Sequence, residues 1–325
     1  MTTYILRRLA VAIPMLLIAT FIMFVLTSLS GDPLAAIKSQ QPAPTAEAIR
    51  QLEHKFYLDQ PLMQRYFTWI SGVFRGDFGP SLTGIDTGAE LLSRFWVTCR
   101  LVLLAFGLAV VLSVILGVWN AVRRYRISDH ISTFVTFLML SMPLFWLAMI
   151  FKQWAVGINR SAGDTVFYTI GDGSTIQSVG FLSGVAVFIG VMTLPTLVLS
   201  STMVGQFSRY TRASMLDVLD RSYMELATAK GLKRGRVLIL HGLRTALIPF
   251  VTVAAMEIGA VLGGTMVLEQ VFQWRGLGDL ILTAITNHDI YVMLAWMLVA
   301  STLVIVFNLI ADLLYRLLDP RVRVT

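Results

Sequence analysis

Residues Leu101–Val122 read LVLLAFGLAVVLSVILGVWNAV, with no charged side chain among them. As a helix rising about 1.5 Å per residue, this run is about 33 Å long and crosses a hydrocarbon core of about 30 Å. Comparable apolar runs are Leu9–Ser28, Ile131–Ala155, Phe181–Val204, Ala246–Val271 and Tyr291–Tyr315. The 325-residue chain is 56% hydrophobic and 14% charged, where a soluble domain carries about a quarter charged residues. The strict polar–apolar alternation of a membrane barrel is absent. The fold class is therefore an all-α membrane protein with six transmembrane helices. Arg7 and Arg8 precede the first run, as in a secretory signal. That run exceeds the usual 7–15-residue core of a signal, and Gly31-Asp32-Pro33 gives no clear small-residue cleavage pattern. It reads as an uncleaved anchor.

The net charge of +7 reflects topology. With the N-terminus inside, 16 of the 26 Lys and Arg residues fall on the cytoplasmic side, Arg123, Arg124, Arg126, Arg209, Arg212 and Lys230–Arg236 among them. Six acids share that side. An even number of spans with both termini cytoplasmic follows from the positive-inside rule. The charge serves contact with the lipid bilayer and its anionic headgroups, and no nucleic-acid partner is implied. Cys99 is the only cysteine, so no intrachain disulfide forms. His54, His130, His241 and His288 lack metal-ligand spacing, so no metal site is expected.

Four regions follow: an anchor helix at 1–30, an extracytoplasmic segment with short helices at 31–93, a transmembrane domain at 94–315, and a cytoplasmic tail at 316–325. In the second, one helix is expected to start at Thr45 and another near Pro61, because Pro is tolerated at a helix's first position. The face Leu62, Tyr66, Phe67, Ile70 and Phe74 either lies in the outer membrane interface or packs on the spans. The cytoplasmic loop 205–245 carries eight basic residues. Within it, Tyr223-Met224-Glu225-Leu226-Ala227-Thr228-Ala229-Lys230-Gly231-Leu232 predicts a helix of about two turns closed by Gly231. Small Ala227 is expected on a face that a partner approaches closely.

That loop resembles the Glu-Ala-Ala…Gly segment by which permease subunits of ATP-binding-cassette (ABC) importers dock on their ATPase. Glu225, Ala227 and Gly231 keep the pattern, and Leu226 takes its second position. Where the general family has Ile-x-Leu-Pro, His241-Gly242-Leu243-Arg244 followed by Ala246-Leu247-Ile248-Pro249 agrees with the oligopeptide/dipeptide/nickel branch. Further matches are Tyr4–Arg8, Gly31-Asp32-Pro33, Leu58–Pro61, Arg75–Gly79, Ser141-Met142-Pro143, Gly263–Gly278 and Asp312–Arg321. Together they resemble the B-type permease of a peptide importer. The resemblance implies a type I ABC importer permease fold in a bacterial plasma (inner) membrane. It also implies a homologous second permease, one or two ATPases, and an extracytoplasmic substrate-binding protein. No cofactor is expected on this chain, with ATP and Mg held by the partner subunits. The coupling residues would be Glu225, Ala227, Ala229, Lys230, Gly231 and Leu232.

Glu257 lies within the fifth run, where an ionised carboxylate costs at least about 2.5–3.5 kcal/mol. It either lines a substrate path or pairs across helices. Ser141 and Pro143 are further path candidates, Pro143 and Pro195 are expected to kink their helices, and Trp274, Gly276 and Gly278 form either a receptor-facing mouth or a tight re-entrant turn. No Gly-x-x-x-x-Gly-Lys-Ser/Thr phosphate loop, Gly-x-Ser-x-Gly elbow or His-Glu-x-x-His helix is present, so there is no catalytic residue to name. Competing readings are a permease for nickel, glutathione or another small solute, an ion-coupled secondary transporter using Glu257, and a membrane enzyme.

Overall fold

A computed structural model describes residues 2–29, 31–39, 42, 44–172 and 181–318. Ala43 and the expected tail residues Asp319, Pro320, Arg321 and Arg323 lie outside them. Every regular element among the described residues is helical. In chain order these are α1 (Thr2–Leu29), α2 (Ala35–Lys38), α3 (Ala46–Lys55), α4 (Leu62–Val73), α5 (Thr87–Val122), α6 (Ile127–Ser141) and α7 (Leu144–Ala162). Then come α8 (Phe181–Leu219), α9 (Ser222–Ala229), α10 (Arg234–Arg236), a π-helical stretch (Val237–Leu243), α11 (Arg244–Gly264), α12 (Met266–Phe272), α13 (Leu277–Thr286) and α14 (Ile290–Leu318).

Five segments are long and apolar enough to cross a membrane: Leu6–Leu29, Thr87–Val122, Gly184–Leu219, Arg234–Gly259 and Ile290–Leu314. The sixth is α6 and α7 taken together, which turn by 108° at their junction. A kink at Pro143 is what the sequence predicts, and a full break is found. Met142 is extended (φ −81°, ψ 134°), as a residue before proline prefers, and Pro143 starts α7 from the N-cap. Pro195, by contrast, sits inside the unbroken α8. The fifth span also lies earlier in the chain than expected, because the helical run begins at Arg234, α11 stops at Gly264 and α12 is a separate helix. Much of loop 205–245 is helix, since α8 runs on to Leu219.

The chain divides into two compact units. The first comprises Met1–Thr98, Gly263–Glu269 and Arg275–Ile305. Thr45 caps α3 by accepting from the Ala48 amide, and α4 follows Pro61, both as predicted. Tyr66 and Trp69 of α4 are buried with Phe24, Leu34, Phe56, Tyr291 and Leu294. The Tyr66 hydroxyl donates to the Leu17 carbonyl at 2.9 Å, and the Trp69 indole to that of Phe78 at 2.9 Å. Packing therefore claims Leu62, Tyr66 and Ile70, while Phe67 and Phe74 stay 64% and 82% exposed. Asp289, just ahead of α14, fixes the external segment by accepting from the Ser81 hydroxyl at 2.9 Å and the Leu82 amide at 2.7 Å.

The second unit comprises Cys99–Leu262, Gln270–Trp274 and Val306–Thr325. Its centre is α8. Phe207 meets Phe106 of α5 and Phe250 of α11 edge-on, at 6.0 and 5.6 Å between ring centroids. Gly117 of α5 lies so close to α8 that an added Cβ would stand 2.8 Å from the Ser208 carbonyl oxygen. At the cytoplasmic end Arg212 of α8 grips Asp129 of α6 with two parallel bonds of 2.9 and 2.8 Å. The Tyr125 amide adds a third bond to the buried carboxylate, at 3.1 Å. A planar guanidinium suits such two-point capture, and breaking a desolvated pair strands the other charge. Asp129→Ala is therefore expected to lower stability by about 3 kcal/mol, the low end for a buried pair because Arg212 is partly exposed. Denaturant titration of the purified chain in detergent measures this, and Arg212→Ala should give a loss of the same order.

Candidate functional site

The short helix α9 forms the exposed end of the second unit. Arg221 precedes it in extended conformation, and Glu225 stands in its first turn, where a carboxylate meets the positive end of the helix dipole. The helix closes at Lys230, whose amide donates to the Leu226 carbonyl, while the Gly231 amide donates to that of Thr228. Gly231 follows at φ +78°. An added Cβ there would meet nothing within 4 Å, so the backbone angle alone calls for glycine.

One face of α9 is spent on its own chain. Met224 and Ala227 are buried against Ala121 of α5, Met215 and Val218 of α8, Val237 of the π stretch and Ala246 of α11. Ala227 therefore faces inward, whereas the sequence reading expects it on a partner-facing surface. The i, i+3 spacing of Met224 and Ala227 is the sequence signal for this buried stripe. Leu232 packs half-buried against the same cluster. The outward face carries Tyr223, Glu225, Leu226, Ala229 and Lys230, with Leu226 58% exposed. Beside α9 runs a groove of about 630 Å³, lined by Val122, Arg124, Asp220, Glu225, Ala229 and Arg234 among others. The Arg124–Asp220 pair at 3.3 Å and the Arg221–Asp217 pair at 2.9 Å are exposed, so solvent screens both and neither holds the fold.

The intramembrane candidates do not come together. Glu257 on α11 is half-buried and accepts from the Gln206 amide of α8 at 3.3 Å. Ser141 spends its hydroxyl on the Phe137 carbonyl one turn back, at 2.8 Å. Pro143 marks the α6–α7 break. Sequence reasoning takes Glu257 as the ionisable residue deep in a span and misses Lys152. That ammonium, on α7, is half-buried and donates to the Val271 carbonyl at 2.8 Å. Its position within the third apolar run is legible, but its backbone partner is not.

The expected receptor-facing mouth is buried. Trp274, in the second unit, is 0% exposed, and the Arg100 guanidinium lies over its ring at 5.5 Å. Gly276 and Gly278 belong to the first unit, where they surround Glu269. This wholly buried carboxylate accepts from the Thr98 and Thr265 hydroxyls at 2.7 and 2.9 Å. The Gly278 and Asp279 amides complete the set at 2.8 and 3.1 Å. A Cβ on Gly276 would collide with Thr98 and Glu269, and one on Gly278 with the Met266 backbone. Close approach to Glu269 thus explains both glycines. Gln273 and Arg275, between them, are the exposed residues.

Comparison with known proteins agrees with this architecture. Residues 109–324 match the model of the binding-protein-dependent transport system inner membrane component, and residues 1–84 match its N-terminal companion. The chain is 36% identical over 325 residues to the oligopeptide transport system permease protein OppB of Mycobacterium tuberculosis, covering all of both chains. It is 34% identical to the oligopeptide permease AppB of Bacillus subtilis and 33% identical to the dipeptide permease DppB of Escherichia coli, with 99% of each chain covered. A solved structure of the MetNI methionine ABC transporter shares the fold at a TM-score of 0.54 and 16% identity, covering 70% of this chain and 96% of that one. With its apolar helices and full-length matches, the chain belongs to the family of inner-membrane components of binding-protein-dependent transport systems, as a multi-pass permease subunit of an ABC importer.

Proposed function

We infer that this permease forms half of a translocation path for oligopeptides or dipeptides, paired with a homologous second permease and driven by separate ATPase subunits. The observation that carries the cargo reading is the full-length similarity to three permeases named for oligopeptides or dipeptides. ATP and Mg bind the ATPases, and an extracytoplasmic binding protein delivers the peptide. Chemistry therefore takes place on the partners.

The coupling surface is the outward face of α9. An ATPase that grips Tyr223, Glu225, Leu226, Ala229 and Lys230 holds a helix whose other face is packed into the second unit. A pull on α9 is then a pull on α8, the π stretch and α11. Alternating access follows as rigid elements rock about the path. Glu257, half-buried with a single long bond from Gln206, keeps unused acceptor capacity that suits a peptide ammonium group.

Two measurements test this reading. The tagged chain, expressed with its neighbouring ATPase and permease genes, is expected to co-purify with the ATPase and to support ATP-dependent uptake of labelled peptides. Gly231→Val places a β-branched residue at φ +78°, at a cost of about 1–3 kcal/mol. It should leave the chain inserted but reduce uptake by about tenfold or more, and normal uptake would remove the coupling role. The chain alone, in liposomes under an ion gradient, is expected to move no peptide. Gradient-driven uptake abolished by Glu257→Gln would instead establish a secondary transporter.

A further inference from the structure

Residues 234–264 form one continuous helical run, and its buried positions carry a fault in their spacing. Gly242, Ala246, Phe250, Ala254 and Ile258 are all buried and follow one another at intervals of four, which places neighbours on one α-helical face, with Ala255 and Gly259 buried beside the last two. The next fully buried residue back is Val237, at an interval of five, while Leu238, four residues back, is only half-buried against the same cluster. That step of five coincides with the π-helical stretch Val237–Leu243, where backbone bonds run from i to i+5. Had the run been α-helical throughout, the position under Val237 would be His241. The stripe would continue through Thr245, Pro249, Val253 and Glu257. His241 is instead exposed, and Gly242 occupies the buried place.

The fault lies where α9 sits. A Cβ on Gly242 would stand 3.2 Å from the Met224 methyl and 3.6 Å from that of Met215. Val237 packs in the same cluster. The π stretch is thus the seat of α9 and also the start of the helix that carries Glu257. Two further features loosen it. Pro249 has no amide hydrogen to return to the Thr245 carbonyl. The two methionines that line the seat are flexible and repack easily.

Building on the coupling role inferred for α9, we propose that Val237–Leu243 is a register joint, which changes between π and α geometry as the ATPase moves α9. Closing it to α geometry with Val237 held in place brings His241 under Met224. One residue of register turns α11 by about 100° about its axis. The flexible seat and the missing bond at Pro249 let α11 take up part or all of that turn. The stripe presented by α11 then shifts from Gly242–Ile258 toward His241–Glu257, so Glu257 rotates with it. Closing the joint in this way links the ATPase cycle to the carboxylate in the span.

Deleting exposed Ile239 tests the joint. It places Gly242 four residues after Val237, so an unbroken α-helix keeps the whole buried stripe and loses the freedom to shift. The variant is expected to insert, co-purify with the ATPase and melt no lower than the parent, with peptide uptake reduced at least about tenfold. Parental uptake by the deletion variant would overturn the joint. Direct observation uses Met224→Cys with either Gly242→Cys or His241→Cys, in a Cys99→Ser background of the assembled complex. A short bifunctional thiol reagent should join 224 to 242 without nucleotide and 224 to 241 with ATP. Unchanged cross-linking at 224/242 through the cycle would also overturn it, even if the deletion variant failed to fold. The parent complex, assayed alongside, keeps the two ideas apart. If it supports no ATP-driven uptake, the transport reading fails and the joint with it. If it transports and the cross-links do not change, only the joint fails.

Discussion

Met224 and Ala227 are buried beside Val237 and Gly242, and this contact is what makes α9 a helix at all. Eight residues are too few to hold helical structure in water, because nucleation is unfavourable and only a few bonds follow it. Burial of one stripe supplies what propensity lacks. Its consequence is geometric: a helix that turns two small or flexible residues inward must turn the rest outward. Tyr223, Leu226 and Lys230 are exposed because Met224 and Ala227 are not. The exposed face of α9 is thus set by packing within the chain.

The bilayer imposes a second constraint, which is that ionisable groups in apolar surroundings must find partners. Three solutions appear in the second unit. Asp129 and Arg212 neutralise each other at the cytoplasmic end, with two bonds and a backbone amide. Lys152 uses a carbonyl at 2.8 Å. Among the described residues Glu257 has only the Gln206 amide, at 3.3 Å. The first arrangement fixes two helices, and Glu257 is the least constrained of the three. A carboxylate held by one long neutral bond is free to exchange that partner for a cation, which is the property the proposed path role of Glu257 relies on.

The spans were legible because lipid demands an uninterrupted apolar run, and composition records that demand directly. The caps of the external helices were legible for a similar reason, since Thr45 and Pro61 act within three residues of themselves. What could not be read were the long-range terms. Asp129 and Arg212 stand 83 positions apart, and nothing local distinguishes this aspartate from Asp217 or Asp220, which pair only at the surface. Gly276 and Gly278 were candidates for a receptor-facing mouth, yet they are small because Glu269 and the Met266 backbone are packed against them. Ala227 looked like an approach site for a partner, and the chain itself occupies that space. What each of these small residues packs against was visible only in three dimensions. Pro143 shows the opposite error, where a local rule was applied too gently and a kink proved to be a break of 108°.

The departure from the general family pattern now has a physical meaning. Proline has no amide hydrogen and is at home in the first turn of a helix, so the Ile-x-Leu-Pro of the general family marks a point where a helix begins. Arg244 stands in the proline's place and supplies the missing amide. The helix can therefore continue backward through the π stretch to Arg234. This makes one element of the seat under α9 and the span that carries Glu257, about 20 Å further along from Arg244. A chain with proline at that position would need a loop to transmit the same displacement. In the proposed joint the displacement travels through this continuous helix, which yields at the five-residue step between Val237 and Gly242.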